Sequence, residues 1–440
     1  MKNICKSIII ASLLIAICGC AHEDKRLKWK YSYKRPPAPF SWYSYDLPTT
    51  PLVVGNNCFW SDGYLPKKQI KLIAIDAESG KEKWTYDVGW HIEPHPGHLV
   101  SDGDALFFQS MGHIFAVDAG TGKERWEVEG WSPPALYEGN VYFGGGPDRK
   151  VYAVDGKTGK RVWEHPVDGW PHEPVLSNGK LFCAQSTGNI GIHDPESIAY
   201  AGRFVRFPTP TPVGPKSEGA QNSALPDKGN SALPKGYAID NPRSIISIDL
   251  KTGTILSFSN PDIFTITGPL WVSDEMVYFT AWEKGRSPKA GLKGFQRLKY
   301  RAIYFLYALD AQTMQVKWKF DLITGPVWSM LVSDKIVYVG AGNKWAGNTR
   351  ALLHAIDGVT GKELWRRDVG ARVNSSPLLV NDTLYVVGHD NILNALDPLT
   401  GSLKWKLHLP TACCGGLAVS EDKKTLFITD KDLYAINIGN

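Results

Sequence analysis

Two adjacent cysteines and a histidine-rich segment are the residues best suited to chemistry. Cys413 and Cys414 stand together in PTACCGG (410–416), and HIEPHPGH (91–98) carries three histidines and a glutamate. Adjacent cysteines can form a disulfide or remain two thiols, and histidines beside a carboxylate can bind a metal. Alternate residues of a strand lie nearly 7 Å apart. His91, Glu93 and His95 would therefore reach one ion only if the chain bends, so hydrogen-bonded loop histidines are the favoured interpretation.

Several functional classes find no support in the sequence. It contains no GxSxG, HExxH or phosphate-binding GxxxxGK[ST] motif, and no CxxC or CxxCH. Hydrolases, P-loop enzymes, zinc ribbons and c-type haem proteins are therefore unsupported. The formal charge is +5, and it falls to +3 once the first 19 residues and their two lysines are removed. A chain so weakly basic is not expected to bind nucleic acid.

The N-terminus predicts export and lipid attachment. Lys2 and Lys6 precede an apolar run that is too short to span a bilayer comfortably and is typical of a signal peptide over residues 1–19. The run ends in ICGC, which resembles the lipobox of bacterial lipoproteins, with Cys20 as the lipidated residue. An ordinary cleaved secretory signal is the alternative. Ala21, in place of aspartate, indicates sorting to the outer membrane.

A repeat organises the rest of the chain, residues 20–440. AIDAESGKEKW (74–84) returns six times, at 116–126, 153–163, 247–257, 308–318, 355–365 and 395–405. Each copy predicts a β-hairpin in which glycine accepts the positive φ of a tight turn. Two more short alternating strands precede each copy, as in PALYEG and NVYFGG (134–145). Four strands per unit of about 40 residues are typical of a β-propeller blade.

The two ends of the chain predict an eighth blade. Residues 417–437 form three strands without a fourth, and LKWKYSYK (27–34) has the pattern of the missing tryptophan strand, with Trp29 at the repeated position. The all-β fold expected is thus an eight-bladed propeller whose last blade is closed by the N-terminal strand. Seven blades with frayed ends would instead leave two sheet edges open.

The repeat A-x-D-x-x-T/S-G-K-x-x-W resembles that of the PQQ-type propeller family over nearly the whole mature chain. Two copies depart from it, because Ser257 replaces the tryptophan and Met314 replaces the glycine, and we expect less regular packing there. The family includes quinone-dependent dehydrogenases and non-catalytic lipoproteins such as BamB, so the fold alone does not give the function. The resemblance implies structural roles for the repeated residues, the tryptophans packing between blades: Asp76, Trp84, Asp118, Trp126, Asp155, Trp163, Asp310, Trp318, Asp357, Trp365, Asp397 and Trp405.

Propeller topology separates the loops onto two sides. The short Thr-Gly-Lys turns share one side, which we call the turn side. The opposite side, the mouth side, receives two long insertions, 188–243 and 284–301. The first is rich in proline, glycine and serine and cannot form a packed core. The second has seven basic residues and no acid, which indicates either a solvated loop or a docking surface for an acidic partner or lipid head groups.

The segments that link successive blades also lie on the mouth side, where a propeller normally holds a ligand. They supply the following ligand-binding candidates: Trp90, His91, Glu93, Trp131, Trp170, His172, Glu173, Trp328, Asn374, Cys413 and Cys414. ACCGGLAV is similar to the adjacent-cysteine element that contacts the cofactor in quinoprotein dehydrogenases. Here it falls in the last blade, and no aspartate occurs in these segments to act as a base. PQQ with calcium is therefore not expected.

The sequence as a whole predicts a non-catalytic lipoprotein on the periplasmic face of the outer membrane. Its resemblance to BamB implies a scaffold that binds outer-membrane or periplasmic proteins during outer-membrane protein assembly. The alternative is a PQQ-dependent dehydrogenase, or another propeller that binds a small ligand at the channel mouth.

Overall fold

The structure is a computed structural model and describes most of the propeller. The described residues are 26–32, 50–62, 70–89, 99–110, 112–186, 245–259, 261, 263–266, 269–273, 275–283, 304–322, 327–342, 351–370, 373, 375–388, 390–410, 416–429 and 432–439. Residues 1–19, Cys20 and the segments 188–243 and 284–301, which the sequence analysis singled out, lie outside them. Within the described part, no helix has the length and apolarity needed to cross a membrane.

Eight antiparallel sheets form the predicted eight-bladed propeller. The strands of the first four blades, in chain order after the N-terminal strand β1 (Leu27–Ser32), are β2 (Leu52–Val54), β3 (Asn57–Asp62), β4 (Ile70–Asp76) and β5 (Glu82–Gly89); β6 (Val100–Ser101), β7 (Ala105–Ser110), β8 (His113–Asp118) and β9 (Glu124–Glu129); β10 (Ala135–Tyr137), β11 (Asn140–Gly144), β12 (Lys150–Asp155) and β13 (Arg161–Pro166); and β14 (Trp170–Pro171), β15 (Val175–Ser177), β16 (Lys180–Ser186), β17 (Ile245–Asp249) and β18 (Ile255–Ser259).

The strands of the last four blades are β19 (Ile263–Ile266), β20 (Trp271–Val272), β21 (Met276–Glu283), β22 (Tyr304–Asp310) and β23 (Val316–Leu322); β24 (Val327–Ser333), β25 (Ile336–Gly342), β26 (Ala351–Asp357) and β27 (Glu363–Asp368); β28 (Leu378–Val380), β29 (Thr383–Val387), β30 (Ile392–Leu396) and β31 (Leu403–His408); and β32 (Leu417–Val419), β33 (Thr425–Thr429) and β34 (Asp432–Asn437). One short 3-10 helix, Gly146–Asp148, joins β11 to β12.

The N-terminal strand closes the ring, as the sequence predicts. β1 pairs antiparallel with β34, so the eighth sheet has the order β1-β34-β33-β32. The inner strands of neighbouring blades touch around the channel, and β32 contacts both β28 and β2. The described closing strand ends at Ser32, and residues 33–34 lie outside the described part. The last blade therefore joins the two ends of the chain in one sheet.

Each repeated aspartate organises its own turn. The Asp76 carboxylate accepts hydrogen bonds from the backbone N–H and the hydroxyl of Ser79, both at 2.8 Å, and the N–H of Gly80 donates to the Asp76 carbonyl. The carboxylates of Asp118, Asp155, Asp249, Asp310, Asp357 and Asp397 each accept the same pair of bonds from a threonine. Because hydrogen bonds to the ionised form favour it, the bonds from Ser79 lower the pKa of Asp76 to about 2.

The repeated tryptophans join one blade to the next. Trp84 lies on the outer strand of the first blade, and its indole N–H donates to the carbonyl of Ala119 in the next blade at 3.1 Å. Its ring covers Gly122, where an added Cβ would lie 2.6 Å from the ring. Glycine is required there by its φ of +72° and by this close approach. Trp126, Trp163, Trp318 and Trp365 repeat both contacts.

Trp29 makes the same contact across the closure of the ring. Its indole N–H donates to the Ala77 carbonyl at 3.2 Å, and its ring covers Gly80 of the first blade. At the preceding interface, Trp405 has no such turn to cover, because the eighth blade takes its outer strand from the N-terminus. The guanidinium of Arg26 instead lies 4.4 Å from the centre of the Trp405 ring. The closure thus keeps one regular contact and replaces another by a cation–π contact.

Candidate functional site

Two tryptophans form an aromatic surface on the mouth side of the third and fourth blades. The rings of Trp131 and Trp170 lie 6.5 Å apart, centre to centre, with a 59° angle between their planes. Trp131 is 42% exposed, and Trp170 is partly buried. Exposed tryptophans offer a large apolar area together with an N–H donor. The described mouth side therefore presents an accessible aromatic anchor.

The backbone holds Trp131 in place. Its N–H donates to the Gly144 carbonyl at 2.8 Å, and the N–H of the preceding Gly130 donates to the Gly112 carbonyl at the same distance. An added Cβ would lie 2.8 Å from the Trp131 ring at Gly112 and 2.7 Å from the Trp131 side chain at Gly146. Both glycines have positive φ. The ring thus lies on two glycines that leave it no space to tilt inward.

Hydrogen bonds also fix the adjoining segment of the fourth blade. β14 pairs with the mouth end of β16, opposing Trp170 to Ser186. The N–H of Gly169 donates to the side-chain carbonyl of Gln185 at 2.9 Å, and the N–H of His172 donates to the Ala184 carbonyl at 2.8 Å. These bonds fix the backbone on both sides of Trp170, so the two aromatic rings are positioned before any ligand binds.

Burial shifts the pKa values of three titratable groups near this surface toward their uncharged forms. Burial lowers the pKa of His172 to about 4 and also lowers that of His165. Burial raises the pKa of Asp168, although Arg149 opposes that shift. The Nε2 of His165 and the Oδ2 of Asp168 are buried and find no hydrogen-bond partner among the described residues. Desolvation disfavours the charged form of each group. At neutral pH both histidines are therefore uncharged.

A buried cysteine contacts the backbone of the same segment. Cys183 is fully buried on β16, and its Sγ–H donates to the His172 carbonyl at 3.2 Å. Burial raises the pKa of this thiol to about 12. Reactive cysteines require an accessible thiolate, so Cys183 supports the backbone here and is not a nucleophile.

Four of the eleven ligand-binding candidates come together in this region, namely Trp131, Trp170, His172 and Glu173. Trp328 lies on β24 in the sixth blade, away from them. Six candidates lie outside the described residues: Trp90, His91, Glu93, Asn374, Cys413 and Cys414. The adjacent cysteines and the histidine-rich segment therefore stay predictions.

No calcium site is assembled by the residues that the structure describes. Among them, no three histidine, cysteine, aspartate or glutamate side chains converge on a common point. Calcium requires six to eight oxygen ligands, and the described residues around the aromatic surface bring together no such set of carboxylates. The described donor set does not fit a calcium-bound quinone, and no chemical step through one follows from it.

The sequence analysis missed several residues that shape the surface. Asp168 immediately precedes GWPHEP (169–174) and so falls just outside the linking segments, in which no aspartate occurs, and His165 lies on β13. Gly112 and Gly146 interrupt the alternating pattern between the second and third strands of their blades, which was the available signal. Their partner Trp131 could not be inferred from spacing, because the contact crosses from one blade to the next.

Comparison with known proteins agrees with the repeat and the topology. The family described as "Outer membrane protein assembly factor BamB" matches residues 20–130, 110–196 and 305–439, well over half of the chain. The chain belongs to the BamB family. The stretch that the BamB family model leaves unmatched contains most of the first insertion and all of the second. No curated protein matches the sequence.

Solved structures share the fold at low identity. The designed protein Ika8 is 14% identical, with a TM-score of 0.58 over 89% of this chain and 96% of its own. The quinohemoprotein alcohol dehydrogenase from Comamonas testosteroni is 15% identical, with a TM-score of 0.58 over 94% of this chain and 76% of its own. BamB from Moraxella catarrhalis is 15% identical, with a TM-score of 0.41 over 93% and 90%. The BamB-family fold thus also occurs in enzymes and in a designed protein, so the role must be argued from the surface.

Proposed function

We propose that this chain is a non-catalytic scaffold that binds partner proteins on its mouth side during outer-membrane protein assembly. The observation that carries the proposal is the exposed Trp131, held on Gly112 and Gly146 beside Trp170. Tryptophans in fixed positions are the residues most enriched among binding hot spots. A rigid ring loses little conformational entropy when a partner covers it. Membership of the BamB family supplies the class of partner, outer-membrane or periplasmic proteins.

The proposal places the protein on the periplasmic face of the outer membrane, attached through a lipid on Cys20. Replacing Cys20 by serine should then release the protein into the soluble periplasmic fraction. Fractionation of the cell envelope measures this directly. Retention of the Cys20→Ser protein in the membrane would count against the lipid anchor without touching the case for partner binding.

The central test compares two exposed aromatics on opposite sides of the same blade. Trp131→Ala should weaken the capture of envelope proteins, with a loss of about 2 kcal/mol or more in binding free energy, as is usual for a hot spot. Tyr137 is 38% exposed at the turn end of β10 and provides the matched control. Tyr137→Ala should leave capture unchanged. In-cell cross-linking followed by mass spectrometry compares the two variants, and equal capture by both would contradict the proposal.

The basic insertion 284–301 offers a second contribution to docking. Trimming it to a short turn should preserve the fold, because surface loops tolerate such changes. The loss of seven cations should weaken the capture of acidic partners, most clearly at low salt, where screening is slight. Capture measured at two salt concentrations tests this contribution. Equal capture by the trimmed and intact proteins at low salt would remove the insertion from the docking surface.

A small-ligand role remains the second candidate, because an aromatic pair can also stack on a planar molecule. Adding PQQ and calcium to the purified protein tests it. A bound quinone spectrum that disappears in Trp131→Ala, together with unchanged partner capture, would favour the ligand-binding alternative over the scaffold.

A further inference from the structure

The outer edges of the seventh and eighth blades differ in charge from those of the first two. The edge strands β31 and β1 both begin with Leu-Lys-Trp-Lys and contain four lysines and no acid. In the first two blades, β5 and β9 contain five acids (Glu82, Asp87, Glu124, Glu127 and Glu129) against Lys83 and Arg125. The positions are equivalent in the repeat, and two of the acids, Glu82 and Glu124, accept hydrogen bonds from Tyr31 and Tyr86 of the preceding blades.

The four lysines, Lys28, Lys30, Lys404 and Lys406, are all exposed. Lys30 forms an ion pair with Asp432 at 2.7 Å, and Lys28 donates to the Thr425 hydroxyl at 3.1 Å. Lys404 donates to the Asp382 carbonyl at 2.6 Å. Among the described residues, Lys30 is the one of the four in ion-pair contact with a carboxylate, while Lys28 and Lys404 act at longer range on Asp422 and Asp397. The two edge strands themselves carry four cations and no acid.

Apolar side chains accompany this basic edge. Leu399, at the tip of the seventh blade's turn, is 71% exposed, and Leu403, at the start of β31, is 39% exposed. The residues equivalent to Leu399 in the first and third blades are Glu78 and Lys157. Cationic side chains beside exposed leucines are the combination that binds the interface of an anionic bilayer.

The start of β1 indicates which part of the protein faces the membrane. Arg26 lies at the turn side of the eighth blade, where it covers Trp405 and links the two basic edge strands. Arg26 is six positions after Cys20, and a chain of that length spans at most roughly 20 Å. A lipid on Cys20 would therefore hold this edge against the headgroups; this step rests on the anchor in the proposed function.

We infer that the outer edge of the seventh and eighth blades, with Leu399 at its turn, lies on the anionic phospholipid surface of the membrane. The lysines contact lipid phosphates, and Leu399 enters the headgroup region. Trp131 lies at the third blade, across the eight-bladed ring from the seventh, and is therefore clear of the bilayer and accessible to partners.

Vesicle flotation of the purified full chain carrying Cys20→Ser tests the surface without the lipid anchor. The protein should bind vesicles containing phosphatidylglycerol and bind phosphatidylcholine vesicles weakly, and added salt should reduce the difference. Replacing Lys28 and Lys406 by glutamine should weaken binding roughly 25-fold, since each lysine near an anionic surface contributes about 5-fold. Lys123→Gln with Lys160→Gln removes two exposed lysines from the second and third blades and should change binding less than about 2-fold.

Leu399→Ser supplies an independent variant at an exposed turn, where unfolding is not expected, and it should weaken binding several-fold even at high salt. Three results would overturn the inference: no binding to anionic vesicles, equal binding to both lipids, or an equal loss in the control pair. Binding to polyglutamate without binding to vesicles would point to an acidic protein instead. Failure of the lipid anchor is read separately, from fractionation of Cys20→Ser cells.

Discussion

The interface between the first and second blades and the interface between the fourth and fifth solve one packing problem in two ways. At the first, Trp84 covers Gly122, whose missing side chain makes room for the ring. At the second, Ser257 stands where the tryptophan would be, and Met314 stands where the glycine would be. Met314 is only 2% exposed and belongs to the core between these two blades. At this interface the large side chain is supplied by the fifth blade, whereas at the first interface it is supplied by the preceding blade.

The backbone is the same at both interfaces. The N–H of Met314 donates to the Asp310 carbonyl at 2.8 Å, just as that of Gly122 donates to Asp118 at 2.9 Å. Met314 keeps the positive φ of the turn, at 58°. The Ser257 hydroxyl shares a 2.6 Å hydrogen bond with that of Ser247. The interface requires a filled volume and a left-handed turn, and the residue that fills the volume can come from either side.

The closure of the ring is the strongest test of how much the interfaces depend on one another. Deleting Leu27–Ser32 removes the Trp29 contact with the first blade and leaves β34 as an open edge. We expect the largest effect of any change considered, loss of the cooperative unfolding transition. Calorimetry measures it. A deletion protein that melts at the same temperature would show that the other interfaces suffice.

A double-mutant cycle can convert the regular interface into the exceptional one. Trp84→Ser should lower the free energy of unfolding by about 3 kcal/mol, the lower end for the loss of a large aromatic side chain, because Trp84 is only partly buried. Gly122→Met alone should also be destabilising, because its Cβ would lie 2.6 Å from the ring. In the double variant, the methionine should fill the vacated space and recover part of the loss. Denaturant unfolding of all four proteins gives the coupling energy, and strictly additive losses would contradict the exchange of volume.

Lowering the pH should destabilise the fourth blade more than the second, and this effect should be smaller than those of the substitutions above. The folded-state pKa of His172, in the fourth blade, is about 4, below the unfolded value of about 6.5. The unfolded chain therefore takes up a proton first as the pH falls, and stability is lost between pH 6.5 and 4, by up to about 3 kcal/mol. In the second blade, Asp118 has its pKa lowered to about 2, chiefly by a hydrogen bond from Arg125. Its contribution is lost only below pH 4.

Hydrogen exchange locates this loss. The fourth blade should open before the second as the pH falls from 7 to 5, and His172→Gln should reduce the difference. If the two blades lose protection in parallel, the buried histidine does not control the acid sensitivity of the fourth.

The smallest expected effect concerns the hydroxyl pair. Ser257→Ala removes the hydrogen bond to Ser247 but no large volume, so it should cost about 1 kcal/mol. Met314→Gly, at the same interface, removes the buried side chain and should cost about 2–5 kcal/mol. Thermal unfolding of both variants compares polar and apolar contributions there. Equal losses would indicate that the methionine does not fill the space.

The repeat made most of the fold predictable, because each copy carries its own turn and its own tryptophan. The eight blades and the closure by the N-terminal strand are confirmed. The sequence also identified Ser257 and Met314 as departures and predicted less regular packing. Their complementarity was not visible, since each repeat looks self-contained while its tryptophan in fact reaches the turn of the next blade. Comparing the tryptophan position of each copy with the glycine position of the next copy would have paired Ser257 with Met314.

The candidate site was less predictable than the fold. Segments between blades could be placed on the mouth side by topology alone, which put Trp131, Trp170, His172 and Glu173 there. That these residues bind a ligand stays a prediction. The exposure of Trp131 depends on Gly112 and Gly146, which lie in two different blades, and the altered pKa of Asp168 depends on burial. The two glycines interrupt the strand pattern locally, but their contact with Trp131 and the burial of Asp168 leave no local signal in the chain.

The closing strand also imposes an order of events during synthesis. Lys28 and Thr425, which are hydrogen-bonded in the finished ring, are 397 residues apart, and almost every blade must be translated before β1 can meet β34. Contacts of such long range form slowly. Until then the growing chain carries an unpaired N-terminal strand and an incomplete ring. The protein is therefore most exposed to aggregation and proteolysis before β1 and β34 pair.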